Sequence, residues 1–244
     1  MGRSYCPYCA AERWSIIVAL SKFGNFSGLT YMLSSASDID PSTPTFSFVH
    51  STYSSQYVSF VSVETQDRSK NTLQIPTSDE QNLINQWDPG GAIPFIDVGG
   101  QYVVHSAPST PTLHSGSQYD PSTLSGLNWT QIGIQLDSPS STVAQRIDGA
   151  ADTLISAICK IDNGQPNSVC SQSYAQIAIT QHPSPPSQTP LTGQFNPVQV
   201  SDRIEAPVLG KGWLTPTSYF LLLGLELPFI SRTSILPRIS LLVT

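Results

Sequence analysis

Apolar residues recur at helical spacing in two parts of the chain. Ala10, Trp14, Ile17 and Leu20 share one side of the run 10–23, and Val143, Ile147, Ala151, Leu154, Ile155 and Ile158 share one side of the run 141–161. Each is expected to be a helix with an apolar stripe turned to a core. Between them the period falls to two. Residues 29–33, 45–49 and 57–63 read as strands, the last two as an inserted β-hairpin. Ser78-Asp79-Glu80-Gln81 reads as a capping box that opens a short helix through Leu83, Ile84 and Trp87. The stretch 93–105 is expected to form two strands joined by Gly99-Gly100, a two-residue loop that accepts positive φ at both positions. A Ser/Pro/Thr-rich loop then leads to a weaker helical stretch around Leu124, Leu127 and Ile132. Helices and strands interleave, which makes the chain an α/β protein.

After about residue 178 both periodicities stop. His182-Pro183-Ser184-Pro185-Pro186 opens a Pro/Ser/Thr-rich stretch, so 1–178 is expected to be the domain and 179–244 a low-complexity tail, disordered or translated from a shifted frame. The apolar run 219–230 is broken by Glu226 and Pro228 and is too short to span a bilayer. Charged residues make up only 11% of the chain, against about a quarter in ordinary soluble domains. The net charge is −6 with no Lys/Arg cluster, which argues against nucleic acid as a partner. A neutral, hydroxyl-rich surface and four cysteines in two close pairs point instead to an extracytoplasmic setting, where disulfides persist. Asn25-Phe26-Ser27 and Asn128-Trp129-Thr130 match the glycosylation acceptor pattern, but such triplets arise so often by chance that they carry little weight.

The chemistry centres on Cys6-Pro7-Tyr8-Cys9, at the head of the first helical run. Pro7 suits a first helical position, since its missing N–H would be unpaired there and its φ already fits, and Cys6 then becomes the N-cap. Gly24 is the expected stop. Unpaired N–H groups and the positive end of the helix dipole favour an anion at Cys6, so its thiol should ionise more readily than a free cysteine. Cys9, one turn in and on the buried side, takes the part of the resolving thiol. Two cysteines at this spacing also serve as half a zinc site or as a permanent disulfide. His50, His105 and His114 are scattered without metal-ligand spacing, and neither a metal nor another cofactor is expected.

The Pro-Tyr pair between the cysteines resembles glutaredoxin-type motifs, which implies a poise less reducing than that of thioredoxin. Taken with Ile93-Pro94-Phe95 entering a Gly-Gly hairpin downstream, the order of elements resembles the thioredoxin superfamily. That resemblance implies a thioredoxin-like mixed sheet flanked by helices, with Pro94 in the cis form beside the cysteines. It also implies that Ile93 and Tyr8 bind substrate, the backbone of Ile93 pairing with an incoming polypeptide. Without the resemblance, Pro94 reads as a trans proline opening an edge strand. More narrowly, Tyr5 to Trp14 and Ala19 to Gly24, with the segments 44–64, 91–104 and 158–170, resemble a mainly archaeal group of uncharacterised proteins, domain-of-unknown-function family 929. The likeness covers about residues 3–175. It implies an N-terminal membrane anchor or export signal, hence a membrane-anchored or secreted protein, and assigns no substrate.

Cys159 and Cys170 form the second pair. Asp162-Asn163-Gly164-Gln165-Pro166 supplies turn chemistry that would fold Cys170 back on Cys159 as a structural disulfide, worth about 3 kcal/mol on the chain-entropy account. An exchange pair relaying electrons to Cys6 and Cys9 is an alternative, and a four-cysteine zinc site a weaker one. Only five residues precede Cys6, and none forms an apolar export segment. The strand that a thioredoxin fold places there is therefore expected to be largely missing, through a start codon assigned too late or a gene fragment. The chain reads as a thiol–disulfide oxidoreductase acting on protein disulfides, with Cys6 as nucleophile, Cys9 as resolving thiol and Pro94 docking the substrate. Its partners would be polypeptide substrates and a redox partner protein. A non-catalytic extracytoplasmic binding module held by two permanent disulfides is the alternative.

Overall fold

The computed structural model describes residues 2–104, 118–176 and 239–243. Strand β1 (Gly2–Arg3) precedes helix α1 (Pro7–Leu20). Cys6 caps α1 with extended backbone, Pro7 occupies the first turn, and the helix ends at Ser21, whose hydroxyl donates to the Ile17 carbonyl at 2.6 Å. Gly24 therefore does not stop the helix. It opens β2 (Gly24–Ser27), where a Cβ would lie 2.3 Å from the Ser54 carbonyl oxygen, so only glycine lets the strands approach.

Strands β3 (Thr30–Leu33), β4 (Pro44–Ser47) and β5 (Thr52–Ser55) complete a bent ribbon in which β2 pairs antiparallel with β5 and β3 with β4. The expected hairpin between 45–49 and 57–63 does not form. Aromatic contacts decide the pairing: Phe46 sits opposite Tyr31 and packs edge-on against Trp14 at 4.8 Å between ring centroids, while Phe26 gathers Phe48, Tyr53 and Phe60. Strands β6 (Val58–Ser62) and β7 (Glu64–Gln66) follow, and β7 pairs in parallel with β1.

Helix α2 (Ser78–Trp87) starts one residue off the expected box, because Thr77 is the N-cap and Glu80 its partner: the Thr77 N–H donates to Glu80 Oε2 at 2.6 Å. The hairpin of β8 (Ile96–Val98) and β9 (Tyr102–Val104) has a three-residue loop rather than two. Gly99 and Gly100 both have positive φ, and Asp97 Oδ2 accepts from the Gly100 N–H at 3.0 Å, which draws Gln101 into the turn. Helix α3 (Trp129–Leu136) is capped by Asn128 and helix α4 (Thr142–Ile161) by Ser141. A turn through Asn163 and Gly164, both at positive φ, leads to the short helix α5 (Asn167–Cys170).

Strand β10 (Ile239–Val243) comes from the far end of the sequence. It lies between β6 and β8, parallel to the first and antiparallel to the second, in a four-stranded mixed sheet of order β6-β10-β8-β9. Most of the expected tail lies outside the described residues, and these five residues take part in the main sheet. No sheet among the described residues closes into a barrel. None of the described helices is long and apolar enough to cross a membrane.

Helices α1 and α4 pack side by side in the same direction. Ala11 and Trp14 meet Val143, Ile147 and Ala150, whereas Ile16, Ala19 and Leu20 share the main core with Leu154, Ile155 and Ile158. Ile96, Val98 and Val104 of the sheet close that core from the other side. The result is a mixed α/β architecture that holds the start of α1 firmly: Trp14 Nε1 donates to the Pro44 carbonyl, Thr45 Oγ1 to Ala10 and the Tyr119 hydroxyl to Ala11.

Candidate functional site

Cys6 stands at the N-cap of α1, and the Cys9 N–H donates to its sulfur at 3.4 Å. Both cysteines are free thiols, Cys6 7% and Cys9 2% exposed. One turn of helix places the two sulfurs in a single hydrogen-bonded unit, and their acidities diverge. Cys6 is lowered to about 7, first because the Cys9 thiol donates to it, then because the N–H groups of Cys9 and Tyr8 point at it and Arg13 adds positive charge; burial opposes these effects. Cys9 is pushed well above its ordinary value by burial, and by donating its proton to Cys6. Near neutral pH the pair holds one proton on Cys9 and a substantial thiolate fraction on Cys6.

Beneath the sulfurs lies a charged cluster. Arg13 is fully enclosed and grips Glu64 of β7: Nε donates to Oε1 at 2.9 Å, and Nη2 to both carboxylate oxygens at 2.7 and 2.6 Å. Ser4 Oγ donates to the same carboxylate at 3.3 Å. Glu12 is 1% exposed, and among the described residues it has no such counter-ion and its Oε1 has no hydrogen-bond partner. Burial raises its carboxyl to about 8. Cys9, Glu12, Arg13, Glu64 and Pro94 line one small pocket.

A family model, Domain of unknown function (DUF929), matches residues 1–160. The chain belongs to this family. No curated protein and no solved structure matches it. The match contains Cys6, Cys9, Pro94 and every residue of the charged cluster, and stops short of Cys170 and β10.

Within the DUF929 region the sequence candidates come together unevenly. Pro94 is buried, its bond to Ile93 is cis, and it shares the pocket with Cys9; its carbonyl accepts from Gln118 Nε2 at 3.4 Å. Ile93 is half-buried beside it. Tyr8, between the two cysteines in sequence, is 39% exposed, its hydroxyl raised by partial burial and by the charges of Asp120 and Asp40. Cys159 and Cys170 form a disulfide in the core, both nearly covered. It ties the last turn of α4 to α5, and neither of its cysteines lines the pocket that Cys9 lines. His50 is exposed in the ribbon, and His105 and His114 lie outside the described residues. Among the described residues no group of three or more His, Cys, Asp or Glu could hold a metal ion.

Sequence reasoning passed over Glu12, Arg13 and Glu64. A signal for the first two was present: in a chain with few charges, Glu12 and Arg13 stand three and four residues after Cys9, on its face of a helix whose flanks are apolar. Glu64 gives no such signal, since it reaches Arg13 from 51 positions away.

Proposed function

We propose that the chain is a thiol–disulfide oxidoreductase of thioredoxin-like type that acts on protein disulfides outside the cytoplasm. The observation that carries the reading is the division of labour between the two free thiols: an acidified Cys6 at a helix N-cap, bonded to a buried and proton-holding Cys9. In the reducing direction the Cys6 thiolate attacks one sulfur of a substrate disulfide, a Cys6–substrate bond forms, and the substrate's other sulfur leaves as a thiolate. Cys9 then gives up its proton, which the released substrate thiolate takes through solvent, and attacks Cys6 Sγ. The Cys6–Cys9 bond forms, the second substrate thiolate leaves, and two electrons have passed from the protein to the substrate; oxidation is the same sequence reversed. Pro94 in the pocket that Cys9 lines and the half-exposed Tyr8 between the cysteines support a polypeptide docking here. The Cys159–Cys170 disulfide and the neutral surface support an oxidising compartment. From the family likeness we extend the proposal to a membrane anchor or export signal and a redox partner protein.

The low exposure of Cys6 favours a second reading, a binding module in which Cys6 and Cys9 close a permanent disulfide. Two measurements separate the readings. Alkylation of the reduced protein at mildly acidic pH should label Cys6 ahead of Cys9, and Cys9→Ser should accumulate mixed disulfides through Cys6. The Cys6–Cys9 potential should lie well above about −300 mV, the level below which structural disulfides resist glutathione. Preferential labelling of Cys9, or a potential below that level, would overturn the oxidoreductase reading.

A further inference from the structure

The Arg13 guanidinium has three nitrogens, and Glu64 occupies two of them. The third, Nη1, is buried without a hydrogen-bond partner, an expensive condition for a group that is charged at all physiological pH. Arg13 and Cys9 line the same pocket, and a spacing of four residues along α1 puts them on the same helix face. Glu12 does not take up this nitrogen: its Oε1, like Arg13 Nη1, is buried without a hydrogen-bond partner. Glu64 fixes the plane of the guanidinium from β7, so the direction of the idle N–H groups is set before any reaction begins.

We propose that Arg13 serves the exchange reaction by donating from Nη1 to the Cys9 sulfur as that sulfur becomes a thiolate and attacks Cys6, with Glu64 as the positioning residue that aims it. The proposal rests on the oxidoreductase reading. It resolves a difficulty in that reading: a thiol as deeply buried as Cys9 resists ionisation, yet the second step requires its thiolate. Among the described residues, the other groups about Cys9 are the Cys6 sulfur, which repels a second negative charge, the main chain of Arg3, which favours the thiolate, and Glu12, which lines the same pocket. Arg13 is the cation among them. The preformed ion pair supplies this charge without a change of fold when the resolving step occurs.

An aryl disulfide that releases two equivalents of a coloured thiolate separates the steps. Attack by Cys6 releases the first equivalent and leaves the aryl group on Cys6; attack by Cys9 on Cys6 Sγ releases the second and forms the Cys6–Cys9 bond. The reduced full chain is compared with Arg13→Lys and with the double variant Arg13→Met/Glu64→Leu, which removes both charges together and leaves no buried ion unpaired. In the double variant the second release should slow roughly tenfold at pH 7, its pH midpoint rising by about one unit or more, while the first release moves much less. Arg13→Lys keeps a charge for Glu64 but lacks the fork that reaches both partners, and should shift the second release in the same direction. An unchanged second release in either variant, or an equal shift in both releases, would overturn the assignment. A wild-type protein that releases no second equivalent would sink the oxidoreductase reading itself, and this proposal with it.

Discussion

Replacing Glu12 by Gln should stabilise the protein at neutral pH and leave it unchanged in acid. The side chain is 1% exposed, and burial lifts its carboxyl from an ordinary value near 4.5 to about 8. The folded state thus holds this proton more tightly than the unfolded chain. Stability is highest below pH 4.5, falls as pH rises toward 8, and levels off above it. Each pH unit inside that window is worth about 1.4 kcal/mol, so the native Glu12 costs roughly 3 kcal/mol at pH 7 and roughly 4–5 kcal/mol by pH 9. Glutamine imitates the protonated acid in size and polarity, and no ionisation burdens it. Urea unfolding of both reduced proteins from pH 4 to 9 measures the effect, with an expected gain in unfolding free energy of about 3 kcal/mol at pH 7. Asp97, raised by burial to about 7, titrates in the same window, but its contribution is common to both proteins and drops out of the difference. Two stability curves that run parallel across this range, or a Gln variant weaker than the native protein at pH 7, would refute the reasoning.

Two further predictions concern the frame around the site. Changing both Cys159 and Cys170 to Ser opens a loop with a sequence separation of 11 and should cost about 3 kcal/mol in urea unfolding, while the selective labelling of Cys6 persists; loss of that selectivity would mean that the two pairs are coupled. Ending the chain after Arg238 removes β10 from between β6 and β8. At about 0.5–1.5 kcal/mol net for each ladder hydrogen bond, this should lower stability by several kcal/mol, and an unchanged urea midpoint would show that the strand contributes nothing to the sheet.

The parts of this architecture that were legible in the sequence are those in which one element carries its own signal. Helices α1 and α4 announce themselves through apolar residues at helical spacing, and Pro7 after Cys6 marks the start of α1 and the place of the sulfurs. Pairing partners carry no such local mark. Residues 45–49 alternate like a strand, but their partner is chosen by Phe46 meeting Tyr31 and Trp14, a choice made in three dimensions. The capping box slipped by one residue because Thr77 and Ser78 are both competent caps, and only the reach of Glu80 separates them. The charged floor of the site was legible by half. Two of its three members share a helix with the cysteines, and the third arrives on a strand whose alternation says nothing about which charge it will meet. Strand β10 stood in a region without periodicity, since five residues between two neighbours need only extend.

The position of β10 also bears on how the protein is made. Its first ladder partner, Val58, is translated roughly 180 residues before Ile239. At about 5–20 residues per second, the start of β6 leaves the ribosome roughly 9–36 s, and β8 roughly 7–28 s, before the strand that joins them exists. Through that interval the nascent chain presents two unpaired strand edges beside a helix that already carries two reduced thiols, and exposed edges invite pairing with other chains. The middle of this sheet can therefore close only after β10 has emerged.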